Sequence, residues 1–81
     1  MRLDKYLKVS RLIKRRTVAN EACDAGRVMV NDKPARASYE VKTGDILTIS
    51  MGVHPIRAKV VSINEYAKKD EANLMYEIIN D

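Results

Sequence analysis

Tryptophan and phenylalanine are absent from this 81-residue chain, and cysteine and histidine occur once each. Without the two large apolar aromatics, a core must be assembled from Leu, Ile, Val, Ala, Met and four Tyr. A lone cysteine, Cys23, excludes an internal disulfide and fits a reducing compartment; on a helix of small residues it reads as an inert buried thiol. The one histidine, His54, precedes Pro55 in a turn and has no nucleophile or orienting partner near it in sequence. It reads as a surface residue rather than a catalytic base. No set of Cys, His and carboxylates has metal-ligand spacing, so no catalytic residue, metal or cofactor is expected, and no enzyme. Glycine-rich phosphate loops and βαβ units are also missing. No apolar run is long enough for a signal peptide or a membrane span, which predicts a soluble, cytoplasmic protein without a membrane partner. Pro-rich, Gly/Ser-rich and repeated stretches are lacking too, so residues 1–81 are expected to form one domain.

Positive charge is what the chain has in excess, and it is unevenly placed. Residues 1–36 carry ten Lys/Arg against Asp4, Glu21, Asp24 and Asp32, a net +6, whereas residues 37–81 are net −2. Such asymmetry predicts a polyanionic partner on the first half. A solvated basic face, or an adaptor for an acidic protein, would carry the same charges.

Leu3 and Leu7 lie one turn apart in "RLDKYLKVS", which predicts a first helix, with Asp4 suited to the dipole of its first turn. "RRTVANEACDAG" predicts a second, with Val18, Ala22 and Ala25 as its buried stripe, Ala19 and Cys23 as the flank, and Gly26 as the stop. The period then changes to two. "RVMVN" predicts a strand, "NDKP" and "VKTGD" turns, with Gly44 free to take positive φ, and "ILTIS" a second strand. "MGVHP" is a connection, and "IRAKVVSI" a strand burying Ile56, Ala58 and Val60. Residues 66–81 read as a short helical turn near Asp70–Asn73 followed by a strand "MYEII", with a continuous helix as the rival. The fold class expected is α+β: two short N-terminal helices packed on a small, mainly antiparallel sheet.

Lys14, Arg15 and Arg16 open the second helix, where each cation opposes the helix dipole at a cost of roughly 0.3–1 kcal/mol. Arg2, Lys5, Lys8 and Arg11 follow the first helix. A link of about six residues would bring the two sets together. Cations beside the N–H groups of a helix start repel those groups but attract the same anion, so a phosphate would turn a local cost into affinity. These seven residues are the candidate RNA-binding set. Tyr6 and Tyr39 are the candidate base-stacking residues, although Tyr6 reads equally well as core. With so few aromatics, a folded RNA read through shape and backbone is favoured over a stacked single strand.

"RLDKYL" at 2–7, "RRTVA" at 15–19, "GRVMVNDK" at 26–33 and "VKTGD" at 41–45 occur in an order that resembles the S-four domain, the RNA-binding module named after small-subunit ribosomal protein four. The resemblance covers residues 2–50 and leaves 51–81 as a C-terminal β extension. Over its full length, through "MRLDKYLKVSRLIKRRTVA" and "KKDEANLMY", the chain is most similar to the small stand-alone branch of that family that serves ribosome-associated quality control. The resemblance implies a non-catalytic factor bound to a large ribosomal subunit that still holds peptidyl-tRNA. It would touch large-subunit rRNA and the tRNA, and support C-terminal alanine tailing by an RqcH-type tailing factor. It carries the RNA-facing role first to Arg2 and Arg16. A heat-shock-type large-subunit recycling factor is the alternative within the family; its members have a long basic C-terminal extension, whereas this sequence stops at Asp81. Two departures stand out: Arg15 replaces a frequent Ser N-cap, and Asp32 replaces the usual Gly after Asn31.

Overall fold

Leu3, Tyr6 and Leu7 recur at helical spacing, and all three are sealed from solvent in the computed structural model, which describes residues 1–79. They belong to α1, Leu3–Val9. Its end is not a simple run-on of basic residues. Ser10 is the C-cap and Arg11 turns left-handed at φ 65°, donating its N–H to the Lys8 carbonyl at 3.1 Å. That is the position glycine usually takes, so Arg11 sits on the reversal after α1 rather than on its face. α2 spans Arg16–Asp24 and follows an extended N-cap, Arg15, that makes no side-chain cap hydrogen bond. Gly26, at φ 79°, ends it: its N–H reaches the Cys23 carbonyl at 3.0 Å and the Arg27 N–H reaches Ala22 at 2.9 Å. This pair of bonds is the Schellman pattern.

The buried stripe of α2 differs from the one expected. Ala19, Ala22 and Cys23 are buried, whereas Val18 is half-buried and Ala25 exposed. The helix is rotated because Arg16 and Asn20 turn toward Asp4 on α1. Ala19 and Cys23 share that side at helical spacing.

Five strands follow: β1 Val28–Val30, β2 Lys33–Pro34, β3 Ile46–Ile49, β4 Ile56–Val60 and β5 Tyr76–Ile78, with a 3₁₀ turn at Ala72–Leu74 before the last. They form one antiparallel sheet in the order β2-β1-β3-β4-β5. The stretch "NDKP" is only half a turn. Asn31 and Asp32, at φ 52° and 69°, make the two-residue reversal, while Lys33 and Pro34 pair with Val30 and Met29. Both φ values are positive, as a type I′ hairpin demands, and Asp32 supplies one of them without glycine. The Asn31 side chain locks the turn to β3, donating to Asp45 Oδ1 at 3.1 Å and accepting the Ile46 N–H at 3.0 Å. Pro34, lacking an N–H, suits the edge strand where it sits.

Cross-strand partners share a face. Val28 with Ile49, Val30 with Leu47 and Leu47 with Ala58 therefore line the buried side. Ile56 has the same parity, through its partner Ile49, but is 40% exposed, contrary to expectation. The sheet outruns its helical cover at that end, where Ile78 is also exposed. β4 stops at Val60 instead of continuing through 63, because the Val61 and Ser62 N–H groups both turn to the Met75 carbonyl. Met75 is buried, and the Tyr6 hydroxyl donates to its carbonyl at 2.7 Å. This anchor selects turn-plus-strand over a continuous C-terminal helix. Asn80 and Asp81, the end of that segment, lie outside the described residues.

The amino terminus is sewn to a distant segment. The Leu3 N–H donates to Tyr39 at 2.8 Å, the Val41 N–H donates to Met1 at 2.9 Å, and Arg2 forms a β-bridge with Glu40. The backbone that carries Arg2 is thereby held on both sides.

Candidate nucleic-acid interface

Asp4 is 2% exposed, and its carboxylate gathers two elements around it. Oδ1 accepts the Lys5 N–H at 2.8 Å and Arg2 Nε at 3.2 Å; Oδ2 accepts Asn20 Nδ2 at 3.1 Å and Arg16 Nε at 3.4 Å. Burial pushes the carboxyl pKa up. The bonds from Asn20, Lys5 and Arg16, with the Arg16 charge, outweigh it and hold the group below its ordinary value. An ionised Asp4 therefore fixes α1 against α2.

The two arginines it fixes are not consumed by the contact. Their side chains remain 50% and 49% exposed, and each donates Nε alone to Asp4. A guanidinium has five N–H donors in a planar fork, so the outer fork of each can bind an anion bidentately. Arg2 and Arg16 both line a groove of about 420 Å³ whose remaining lining is Asp4, Thr17, Asn20 and Glu21.

The other five basic residues are distributed differently. Lys5 turns to Glu65 at 3.3 Å, an ion pair reaching across most of the chain. Both partners are partly exposed, so an anion can displace it at a cost of about 1 kcal/mol or less. Lys8 is exposed in the last turn of α1, Arg11 on the reversal, and Lys14 and Arg15 in the link ahead of α2. None of these five lines the groove. Tyr6 is core and has no free ring face. Tyr39 is half-buried, with its hydroxyl donating to Asp45 Oδ2 at 2.9 Å.

Asp4 and Asn20 belong to the candidate site, and sequence reasoning did not place them there. Asp4 carried the weaker reading of a first-turn acid, and Asn20 carried none. The available signal was an acid lodged between two cations in "RLDK", which points to pairing more than to dipole compensation.

A second buried carboxylate, Asp45, accepts bonds from Lys42 N–H, Tyr39 and Asn31. Against the upward push of burial, these also hold its pKa below the ordinary value. Both acids bind protons less readily folded than unfolded. Their contribution to stability is therefore complete above the ordinary carboxylate pKa of 3.8 and is lost as pH falls through the lowered folded values. Urea midpoints measured at pH 6 and pH 3 should fall in acid for the native chain. The drop should be smaller in Asp45→Asn.

Cys23 is buried, and burial first, then the nearby Asp4 and Asp24 charges, push its thiol up to about 11, so a reactive thiolate does not form. His54 is exposed. Among the described residues no three His, Cys, Asp or Glu side chains cluster as a metal site, and no helix is long and apolar enough to cross a membrane.

Two short helices clasped by one buried carboxylate and backed by a five-stranded sheet define a class of small α+β modules that offer a cationic groove. Residues 1–47 match the S4 domain model, and the chain belongs to that family. Its relatives include the RQC P-site tRNA stabilizing factor of Listeria monocytogenes, 53% identical over the whole of this chain and 88% of the relative. The factor of the same name from Bacillus subtilis is 49% identical, again over the whole chain and 94% of the relative. The trimeric structure of Vibrio cholerae heat shock protein 15 superimposes with a TM-score of 0.91 at 28% identity, covering 98% of this chain and 81% of that one.

Proposed function

We propose that this protein is a non-catalytic RNA-binding factor of ribosome quality control. It binds the large ribosomal subunit that retains peptidyl-tRNA, touching both rRNA and tRNA, and so supports alanine tailing of the nascent chain by an RqcH-type factor. The observation that carries this reading is the Arg2–Asp4–Arg16 clasp, two half-exposed guanidinium forks held at a fixed spacing above one groove. Rigid forks suit phosphate oxygens, and a structured RNA presents those oxygens at fixed intervals. The names of the full-length relatives supply the ribosomal setting and the P-site tRNA. Lys5, Lys8, Arg11, Lys14 and Arg15 add long-range attraction around the clasp.

The test is binding of the purified protein to large subunits with and without peptidyl-tRNA, over a range of salt. Preference for the tRNA-bearing subunit is expected, with log K falling by about 0.7–0.9 per phosphate contact for each unit of log salt. Equal binding to both forms would transfer support to a recycling role like that of the heat-shock branch, which the close structural likeness to heat shock protein 15 favours as the second reading. Binding that survives RNase would instead indicate an acidic protein partner.

A further inference from the structure

A second groove is lined by residues between Val30 and Tyr39, the last of which also belongs to the segment that anchors Arg2. It is larger, about 700 Å³, and its lining includes Val30, Lys33, Pro34, Arg36, Ser38 and Tyr39. Nothing in the Arg2–Asp4–Arg16 clasp uses it. Lys33 and Arg36 are both exposed, and among the described residues neither takes part in an ion pair. Two of the nearby acids are engaged elsewhere: Glu40 receives the terminal ammonium at 3.2 Å, and Asp45 is held by Asn31, Tyr39 and Lys42, while Asp32 is exposed in the turn beside Lys33.

Besides the two cations, the groove takes apolar lining from Val30, Pro34 and Ala35 and an aromatic side chain from Tyr39. Pro34 is fixed in the β2 edge strand. Tyr39 is immobilised three ways: its N–H donates to the Arg36 carbonyl at 3.0 Å, its carbonyl accepts from Leu3 at 2.8 Å, and its hydroxyl donates to Asp45 at 2.9 Å. A fixed ring beside unpaired cations suits a ligand with one flat apolar face and one negative charge. The geometry points to a subsite for a single unpaired nucleotide of an RNA strand, its base against Tyr39 and Pro34 and its flanking phosphates on Lys33 and Arg36. Base–aromatic stacking tolerates any base, because every base has a π-face. An acidic peptide would use the cations but leave the ring idle.

The subsite rests on the RNA-binding reading and extends it from helical to unpaired RNA. Both grooves are referred to one piece of backbone. Ala37, next to Arg36, accepts the Asp4 N–H at 3.2 Å and donates its own N–H to Asp24 at 3.0 Å. The second groove therefore sits at a set distance from the clasp, as two contacts with one folded RNA require.

The experiment uses the full chain and a fluorescein-labelled oligouridylate of eight nucleotides, plain or carrying 5-iodouridine. Anisotropy titrations at graded salt compare the native chain, Lys33→Ala/Arg36→Ala and Arg2→Ala/Arg16→Ala, with circular dichroism to check folding. Lys33→Ala/Arg36→Ala is expected to weaken oligouridylate binding about tenfold or more and to lower the salt slope by about 1.4, two single-strand phosphate contacts. Irradiation should cross-link iodouridine to Tyr39, and the cross-link should persist in Arg2→Ala/Arg16→Ala. Native-like oligouridylate binding by the folded Lys33→Ala/Arg36→Ala protein, or cross-links that avoid Tyr39, would overturn the subsite. So would a polyglutamate peptide that competes as well as the oligouridylate does. Because Lys33 and Arg36 lie outside the clasp, loss of the subsite with retained large-subunit binding leaves the proposed function standing. Loss of subunit binding by the native chain removes that function whatever the oligouridylate shows.

Discussion

Asp4→Ala should unfold at a temperature roughly 12–24 °C lower than the native chain, corresponding to about 3 kcal/mol in a domain of this size. The carboxylate is buried and accepts four donors, two from charged guanidinium groups. Breaking a buried charged pair costs about 3–5 kcal/mol, and the lower end applies here because the arginines are half-exposed and can return to water. The Lys5 N–H and the Asn20 amide cannot do so as easily, since both residues are partly buried. Against a total stability of about 8 kcal/mol for 81 residues, that is a large share. Asp4→Asn keeps the shape and one acceptor, so it should lose about half as much. Urea denaturation at pH 7 measures both. Equal stability of Asp4→Ala and the native chain would show that the clasp holds nothing together.

Arg2→Ala/Arg16→Ala should weaken large-subunit binding roughly 100-fold while the protein stays folded. Each charge-assisted arginine contact is worth about 1.5 kcal/mol in this partly exposed setting, and each 1.4 kcal/mol is a factor of ten. The salt slope should also fall by about 1.4–1.8, the share of two phosphates. Asp4 keeps its bonds from Lys5 and Asn20 in this variant, so the fold survives. Arg2→Lys/Arg16→Lys separates charge from geometry: it restores the cations but not the planar fork that Asp4 holds by Nε. If affinity returns fully with lysine, the spacing of the forks is irrelevant and only net charge matters. Binding unchanged by the alanine pair would remove the clasp as the RNA site.

Periodicity made α1, α2, β1, β3 and β4 legible, because each buries one face against the same core. Its failures have a common cause. The face that α2 buries depends on Asn20 meeting Asp4, sixteen positions away in sequence. The exposure of Ile56 depends on how far the helices reach across the sheet. Lys33 and Pro34 look like turn residues until a two-residue reversal uses up Asn31 and Asp32. The C-terminal segment was ambiguous on pattern alone, and its anchor is the hydroxyl of Tyr6, distant by 69 positions. The candidate site shows the same division. Charge placement marked all seven basic residues, and the resemblance to the S-four family ranked Arg2 and Arg16 first. That only these two share a groove follows from one buried acid that carries no distinctive pattern.

The seam between Met1–Asp4 and residues 37–41 has a consequence for any attempt to shorten this protein. Helices of seven and nine residues are below the roughly 12–15 needed for even marginal helicity in isolation. A synthetic peptide of residues 1–26 would hold every cation of the candidate set and yet be a random coil, with Arg2 and Arg16 at no defined distance. The groove is thus a property of chain closure, and it can be grafted to another scaffold only with the sheet that closes it.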